Sequence, residues 1–282
     1  NRHSSDLNMR DLNSINPWAW KAHPEVWLLV IAIFLLGFWA IKVIGPKVVT
    51  SDQKIVTRKQ KITFIFAIIL LLISADWPLH DIAEDHLYSA HMLQHLLITF
   101  VVPPLFLFSI PTWLARLLVA GDSFTSRIIR KLSHPVVAGL TFNALVALTH
   151  WSGFVQFSAD SGAFHYLIHL LLFTTAILMW IPVVSPIPEL RLSLPAQMFY
   201  LFLMSIIPTI PAAWLTFAEG NVYRHYDDGY LMWGISVQSD QQAAGLIMKL
   251  IGGFYLWAII ISKFYIFARE HTRNQDIRTI ST

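Results

Sequence analysis

The chain has 282 residues, 55% of them hydrophobic and only 13% charged, and its mean hydropathy is +0.56. Soluble domains carry about 25% charged residues, so this composition excludes an ordinary soluble protein and predicts one embedded in a lipid bilayer. The formal net charge of +3 does not indicate a nucleic-acid-binding surface, because the basic residues lie beside apolar segments, and the lack of cysteine excludes disulfides and thiolate ligands.

Seven apolar segments approach the roughly 20 residues that a helix needs to cross the hydrocarbon core of a bilayer. They predict an all-α membrane protein with a seven-transmembrane helix bundle over residues 26–268, preceded by an N-terminal outer segment (1–25) and followed by a cytoplasmic tail (269–282). The expected spans, in chain order, are 26–44, 62–79, 86–108, 135–151, 164–184, 195–217 and 242–267.

The segment between the third and fourth spans, residues 111–135, mixes apolar and basic residues at helical spacing. A pair of helices lying on the membrane surface would explain this composition, and an ordinary basic loop would explain it equally well. The sequence leaves this choice open.

Lysine and arginine are distributed unequally between the two sides of the predicted bundle. They are concentrated in the loops after the first, third and fifth spans and in the C-terminal segment, as at Lys54, Arg127, Arg191 and Arg273. Loops rich in these residues remain in the cytoplasm. We therefore expect a multi-pass protein of the plasma (inner) membrane, with its N-terminus outside and its C-terminus in the cytoplasm.

Most of the 12 histidines then fall toward the outer face, where they form a candidate metal site. Two pairs have the spacing His-x-x-x-His, and residues four apart share one face of a helix with Cβ atoms about 5–6 Å apart. Neutral imidazole is a common metal ligand, and polar residues inside a bilayer normally mark a functional site. The predicted ligands are His91, His95, His150, His165 and His169.

Other residues near the outer face are accessory candidates for the same site. The connection before the third span is acidic, and the seventh span begins with an acid and an amide. The thioethers of Met92, Met204 and Met248 could bind Cu(I), although methionine in membrane helices more commonly serves packing. The accessory candidates are His80, Asp81, Glu84, His86, Asp240, Gln241 and Met92.

The type of metal follows from the ligands. Histidines with optional methionines and no cysteine favour copper, as Cu(I), or zinc, while imidazole also binds haem iron. Neither histidine pair contains the glutamate of the His-Glu-x-x-His motif, so a zinc peptidase would lack its general base. The residues predict a metal-handling membrane protein rather than an enzyme, with a b-type haem protein and a metal-free structural subunit of a respiratory complex as alternatives.

Several motifs, among them "SAHMLQHLLITFVVPPLFLFSIP", "FHYLIHLLLFTTAILMWIPVVSP" and "SDQQAAGLIMKL", resemble the CtaG family over residues 75–268. This family comprises assembly factors of caa-type cytochrome c oxidase. The resemblance implies a non-enzymatic protein associated with copper delivery, with cytochrome c oxidase subunits and the lipid bilayer as partners; a homodimer remains an open alternative.

The family's histidine and acid-amide positions map onto His134 and onto residues already considered, namely His91, His95, His150, His165, His169, Asp240 and Gln241. His134 lies on the predicted cytoplasmic side, so "SHP" is interpreted as a helix start rather than as part of the metal site. Lys249 stands where family members commonly have tryptophan, which affects only the expected local packing.

Overall fold

The computed structural model describes residues 16–280 except positions 17, 51, 120, 160, 224, 225 and 228–231. All regular secondary structure in this part of the chain is helical. Six helices are long and apolar enough to cross a bilayer, and a seventh crossing exists if two helices joined by a 74° bend form one span. The protein is therefore a multi-pass helical membrane protein. Residues 1–15 of the predicted N-terminal segment lie outside the described residues.

The helices are numbered here in chain order. They are α1 (Pro24–Val48), α2 (Arg58–Ala75), α3 (Leu79–Asp85), α4 (Tyr88–Ser109), α5 (Thr112–Val119), α6 (Phe124–Leu132), α7 (Pro135–Thr149), α8 (Ser152–Ala159), α9 (Gly162–Val184), α10 (Leu194–Ile206), α11 (Thr209–Phe217) and α12, which begins at Val237 and ends at Ile280. Three of them contain one wider, π-type turn, at Ala40–Ile44 in α1, Leu97–Val101 in α4 and Ile247–Ile251 in α12.

Most helices begin and end within a few residues of the predicted spans, and side-chain caps explain the larger differences. α2 begins at Arg58 rather than at 62 because Thr57 Oγ1 accepts a hydrogen bond from the Gln60 N–H at 3.2 Å, while the Thr57 N–H donates to Gln60 Oε1 at 2.9 Å. α12 begins at Val237 rather than at 242 because Ser236 Oγ accepts from the Ser239 N–H at 3.2 Å.

The segment before the predicted fourth span forms two helices, α5 and α6, rather than a loop. The span itself is shorter than expected, since α7 has 15 residues and ends at Thr149 instead of 151. A helix of that length is about 22 Å long, whereas the hydrocarbon core is about 30 Å thick. The predicted fourth span is therefore a full crossing only if the bent α6–α7 pair forms one span. α7 begins at Pro135, directly after His134, as predicted from the sequence.

The apolar core lies between α4, α9, α10 and α12. Trp180 on α9 is fully buried there, and its indole N–H donates to the Thr99 carbonyl oxygen of α4 at 2.9 Å. The outward faces of α1, α2 and α12 carry exposed leucine, isoleucine and phenylalanine side chains, which suit contact with lipid. Polar side chains on α4 and α9 consequently point into the bundle, where their hydrogen-bonding needs must be met by other protein groups or by a ligand.

A close crossing of α11 and α12 depends on Gly245. A Cβ atom added at this glycine would lie 2.7 Å from the Ala212 carbonyl oxygen and would also contact Thr216 Oγ1. We expect Gly245→Ala to lower the free energy of unfolding by about 1–3 kcal/mol, because overpacking displaces backbone rather than a flexible side chain. Titration of the detergent-solubilised protein with a denaturing detergent measures this change.

Gly253→Ala is the matched control on the same helix, since nothing lies within 4 Å of a Cβ atom at Gly253. We expect this variant to be as stable as the wild type or slightly more stable, because alanine favours the helix over glycine by about 1 kcal/mol. Equal stability of the two variants would contradict the close crossing.

Candidate metal centre

Four histidines from α4 and α9 converge inside the bundle. His91 and His95 lie one helical turn apart on α4, with ring centroids 4.2 Å apart, and His165 and His169 have the same relation on α9, at 4.4 Å. The two pairs face each other: the Nε2 atoms of His95 and His169 are 3.4 Å apart. The four rings, predicted from the spacing to share one site, therefore lie side by side.

Glu84, the penultimate residue of the short helix α3, lies against these rings. Its Oε1 atom is 2.9 Å from His165 Nε2, 3.2 Å from His91 Nδ1 and 4.0 Å from His169 Nε2. The sequence suggested Glu84 only as one of several acidic accessory residues. The structure distinguishes it from Asp85 beside it, which is exposed and forms an ion pair with Lys21.

The donor atoms fall into two overlapping groups, each of which can hold a metal ion. One group consists of His91, His95 and His169, and the other of Glu84, His165 and His169. Within each group, all ligand atoms lie within 4.8 Å of one another. His169 belongs to both groups.

The arrangement fits a bound cation on chemical grounds. Two neutral imidazoles whose Nε2 atoms face each other at 3.4 Å can share a proton or a metal ion, whereas two facing lone pairs would repel each other. A carboxylate beside them can ligate the same ion or accept hydrogen bonds that orient the ligating rings. The cluster formed by Glu84, His91, His95, His165 and His169 is called the histidine cluster below.

A polar entrance leads to the histidine cluster from the end of the bundle where α1, α4 and α9 begin. It is a cavity of about 210 Å³. His80 and Asp81 line it, but both are held by hydrogen bonds: Asp81 Oδ1 pairs with His23 Nε2 at 2.9 Å, and His80 Nδ1 pairs with the Gln94 side chain at 2.8 Å. The full lining of this entrance is Lys21, His23, His80, Asp81, Glu84, Asp85, Gly162, His165 and Tyr166.

His150 lies beside the histidine cluster rather than within either donor group. It follows the last residue of α7 and is buried, with Nδ1 2.7 Å from the Val146 carbonyl oxygen. Its own carbonyl oxygen accepts a hydrogen bond from Tyr223 Oη at 2.8 Å. Burial raises the pKa of the Tyr223 phenol to about 12, so this hydroxyl stays protonated and keeps donating to the end of α7.

Asp240 and Gln241 both accept hydrogen bonds from backbone groups of distant parts of the chain. Ser236 caps α12, whereas the Asp240 carboxylate caps α4, where it accepts from the Tyr88 N–H at 2.6 Å and the Ser89 N–H at 3.1 Å. Gln241 Oε1 accepts from the Val222 N–H at 2.7 Å. Two accessory candidates remain. His86 directly follows α3 and does not line either of the two cavities that border the histidine cluster, whereas Met92 lines one of them.

Comparison with known proteins agrees with the resemblance seen in the sequence. No match was found among curated proteins or among solved structures. The sequence model of the family described as cytochrome c oxidase caa3 assembly factor (Caa3_CtaG) matches residues 32–270, which include every residue of the histidine cluster. Since this match covers most of a multi-pass helical membrane protein, the chain belongs to the cytochrome c oxidase caa3 assembly factor family.

Proposed function

We propose that this assembly factor binds copper as its cargo in the histidine cluster and passes it to a cytochrome c oxidase subunit. The observation that carries the proposal is the convergence of four imidazoles and one carboxylate, from three helices, within the bundle. Structural helix contacts rarely need so many polar groups at one point in a membrane, where each unsatisfied group is costly.

Charge balance favours copper as Cu(I). Glu84 contributes one negative charge to a site whose other donors are imidazoles, which bind a metal in their neutral form. A monovalent cation cancels that charge, whereas a divalent ion leaves a net positive charge in a medium that penalises it. Imidazole ligands also bind and release copper without covalent chemistry, so a non-enzymatic carrier needs no further catalytic group.

The distribution of basic residues indicates which side of the membrane the entrance faces. The ends of α1 and α4 far from the histidine cluster lead into segments containing Lys47, Lys54, Arg116 and Arg127. Such segments stay in the cytoplasm. The N-terminus and the entrance therefore face the outer side of the plasma membrane, the C-terminus lies in the cytoplasm, and copper enters from outside.

Haem is a weaker candidate than a metal ion for steric reasons. The cavity bordered by Glu84, His91, His95, His165 and His169 has a volume of about 40 Å³, which is room for a few water molecules. The His95 and His169 Nε2 atoms, the natural axial pair from α4 and α9, are 3.4 Å apart, and no macrocycle fits between them.

The proposal is tested first with the wild-type protein. Protein purified in mild detergent is equilibrated with Cu(I) in the presence of a competing chelator, and the bound metal is quantified. We expect at least about one equivalent of copper per chain and no Soret band in the visible spectrum. Copper at background level, or a split α/β spectrum on reduction, would contradict the proposal in favour of a metal-free structural subunit or a b-type haem protein.

A copper-delivery role also predicts a defect in the oxidase itself. In a strain lacking this chain, we expect the caa-type oxidase to be assembled with less copper than in the wild type, measured by metal analysis of the purified oxidase. An oxidase with its full copper content in that strain would contradict a role in copper delivery.

A further inference from the structure

A second cavity lies next to the histidine cluster on the side away from the entrance. It has a volume of about 50 Å³ and is enclosed by α4, α7, α10 and α12. Three of the chain's seven methionines line it, each on a different helix: Met92 on α4, Met204 on α10 and Met248 in the π-type turn of α12. His95 and His150 line it as well, so it is called the methionine cavity here.

His150, which lines the methionine cavity, has one buried ring nitrogen without a hydrogen-bond partner among the described residues. The Val146 carbonyl oxygen, 2.7 Å from Nδ1, can only accept a hydrogen bond, so Nδ1 carries the proton in the neutral ring. The lone pair then resides on Nε2, a buried atom without a hydrogen-bond partner among the described residues. A ring fixed in this tautomer by a backbone carbonyl is the arrangement found for histidines that ligate metals through Nε2.

Two of the three methionines are buried, and a hydrogen bond holds the sulfur of one of these two in place. Met92 and Met204 are 3% and 5% exposed, and Met204 Sδ accepts a hydrogen bond from the Asn143 side chain at 3.1 Å. Asn143 is itself anchored on α7 by a bond to the Gly139 carbonyl oxygen at 2.8 Å. Polar contacts thus orient the sulfur of Met204, which simple packing of an apolar side chain does not require.

We propose that the methionine cavity is a second, Cu(I)-selective site, formed by His150 Nε2 and the thioethers of Met92, Met204 and Met248. Thioether sulfur is a soft, uncharged ligand that favours Cu(I) over zinc and over Cu(II). Lys249 also lines the cavity, and its ammonium donates to Thr209 Oγ1 at 2.6 Å. The cavity lies deeper in the bundle than Glu84 and offers no carboxylate. It therefore discriminates by ligand softness, whereas the histidine cluster attracts a cation by charge.

His95 connects the two sites, because it lines both the methionine cavity and the cavity of the histidine cluster. Copper passes inward by exchanging imidazole ligands for His150 and thioether ligands, with His95 bound throughout. The ion remains Cu(I) and the ligands remain neutral, so the step requires neither an oxidant nor a proton. This transfer rests on the proposed function of the histidine cluster, whereas binding in the methionine cavity does not.

The experiment compares three proteins loaded with Cu(I) in detergent: wild type, the triple variant Met92→Leu/Met204→Leu/Met248→Leu, and the control Met179→Leu/Met232→Leu. Leucine preserves most of the packing volume, and the control removes two fully buried methionines that do not line the cavity. X-ray absorption at the copper edge distinguishes sulfur from nitrogen ligands, and metal analysis gives the stoichiometry.

We expect the wild type and the control to bind about two equivalents of Cu(I) with sulfur among the ligands, because both sites are intact. The triple variant should lose about one equivalent and all sulfur scattering while keeping the nitrogen-bound copper. Absence of sulfur scattering in the wild type, or an unchanged spectrum in the triple variant, would overturn the second site.

A fourth protein, His91→Ala/His165→Ala, separates this inference from the proposed function because it spares His95 and the methionines. Loss of nitrogen-bound copper with retention of sulfur-bound copper supports two distinct sites. If the sulfur-bound copper disappears as well while the protein remains folded, the methionine cavity does not bind copper independently and the inference fails. If this variant keeps all its nitrogen-bound copper, the proposed function fails instead.

Discussion

Replacing His91, His95, His165 and His169 together with alanine is expected to remove all copper from the histidine cluster while the helix bundle remains folded. Each imidazole supplies at most one ligand atom, and the two donor groups share His169, so no three-ligand set survives. The remaining Glu84 carboxylate supplies at most one ligand atom by itself. Loss of about one equivalent of copper by metal analysis, with an unchanged helical circular dichroism spectrum, is the expected result.

The matched control is His134→Ala/His271→Ala, which removes histidines outside the cluster. His134 precedes α7 and His271 lies near the end of α12, where it is exposed. This variant should bind as much copper as the wild type. Equal copper binding by the quadruple variant and this control would show that the converging imidazoles serve packing alone.

The variant Glu84→Gln tests the contribution of the carboxylate to copper binding. Glutamine keeps the size of the side chain but removes the negative charge that lies 2.9 Å from His165 Nε2 and 3.2 Å from His91 Nδ1. We expect the copper affinity to fall by about 100-fold, as for the loss of a group that ligates a metal or orients its ligands. Asp85→Asn, one residue further on α3, should leave the affinity unchanged because its exposed side chain pairs with Lys21.

Asp240→Ala is expected to destabilise the protein strongly, by about 3 kcal/mol, rather than to weaken metal binding selectively. The carboxylate is 4% exposed and accepts hydrogen bonds from the Tyr88 N–H, the Ser89 N–H and the Ser89 hydroxyl. Alanine leaves buried donors of the first turn of α4 without partners, at a cost of about 1–3 kcal/mol each. Unfolding in a denaturing detergent measures the loss.

Asp227→Ala is the control for this prediction. Asp227 is exposed and pairs with the Asn221 side chain at 2.7 Å, and changes at such surface positions usually stay within about 0.5 kcal/mol. A variant Asp240→Ala that unfolds like the wild type but binds less copper would assign Asp240 to the metal site after all.

The spans and the two histidine pairs could be predicted because their causes are local. Apolar segments of sufficient length form membrane helices whatever their neighbours, and a spacing of four residues places His91 beside His95 and His165 beside His169. The predicted topology also brings the two pairs together, because both lie near the beginning of their helices on the same side of the bundle.

The rest of the site depends on contacts between distant parts of the chain. The acidic residues before the third span look equivalent in the sequence, and only the orientation of α3 turns Glu84 inward and Asp85 outward. Asp240 accepts a hydrogen bond from a backbone N–H 152 residues away, and its position near the start of α12 does not indicate this partner. His150 is adjacent in the sequence to no other candidate, and its position beside the cluster depends on the packing of α7 against α9 and α10.

The segment that precedes α1, called the strap here, contributes to the entrance but supplies no donor atom to the histidine cluster. Lys21 pairs with Asp85 and His23 with Asp81, so a segment from before the first span forms one wall of the entrance. Both strap residues lie outside the range 32–270 that matches the family, whereas every residue of the histidine cluster lies inside it. The wall of the entrance and the donor atoms behind it thus come from different parts of the chain: a change at Lys21 or His23 alters the way in and leaves every donor atom of the histidine cluster in place.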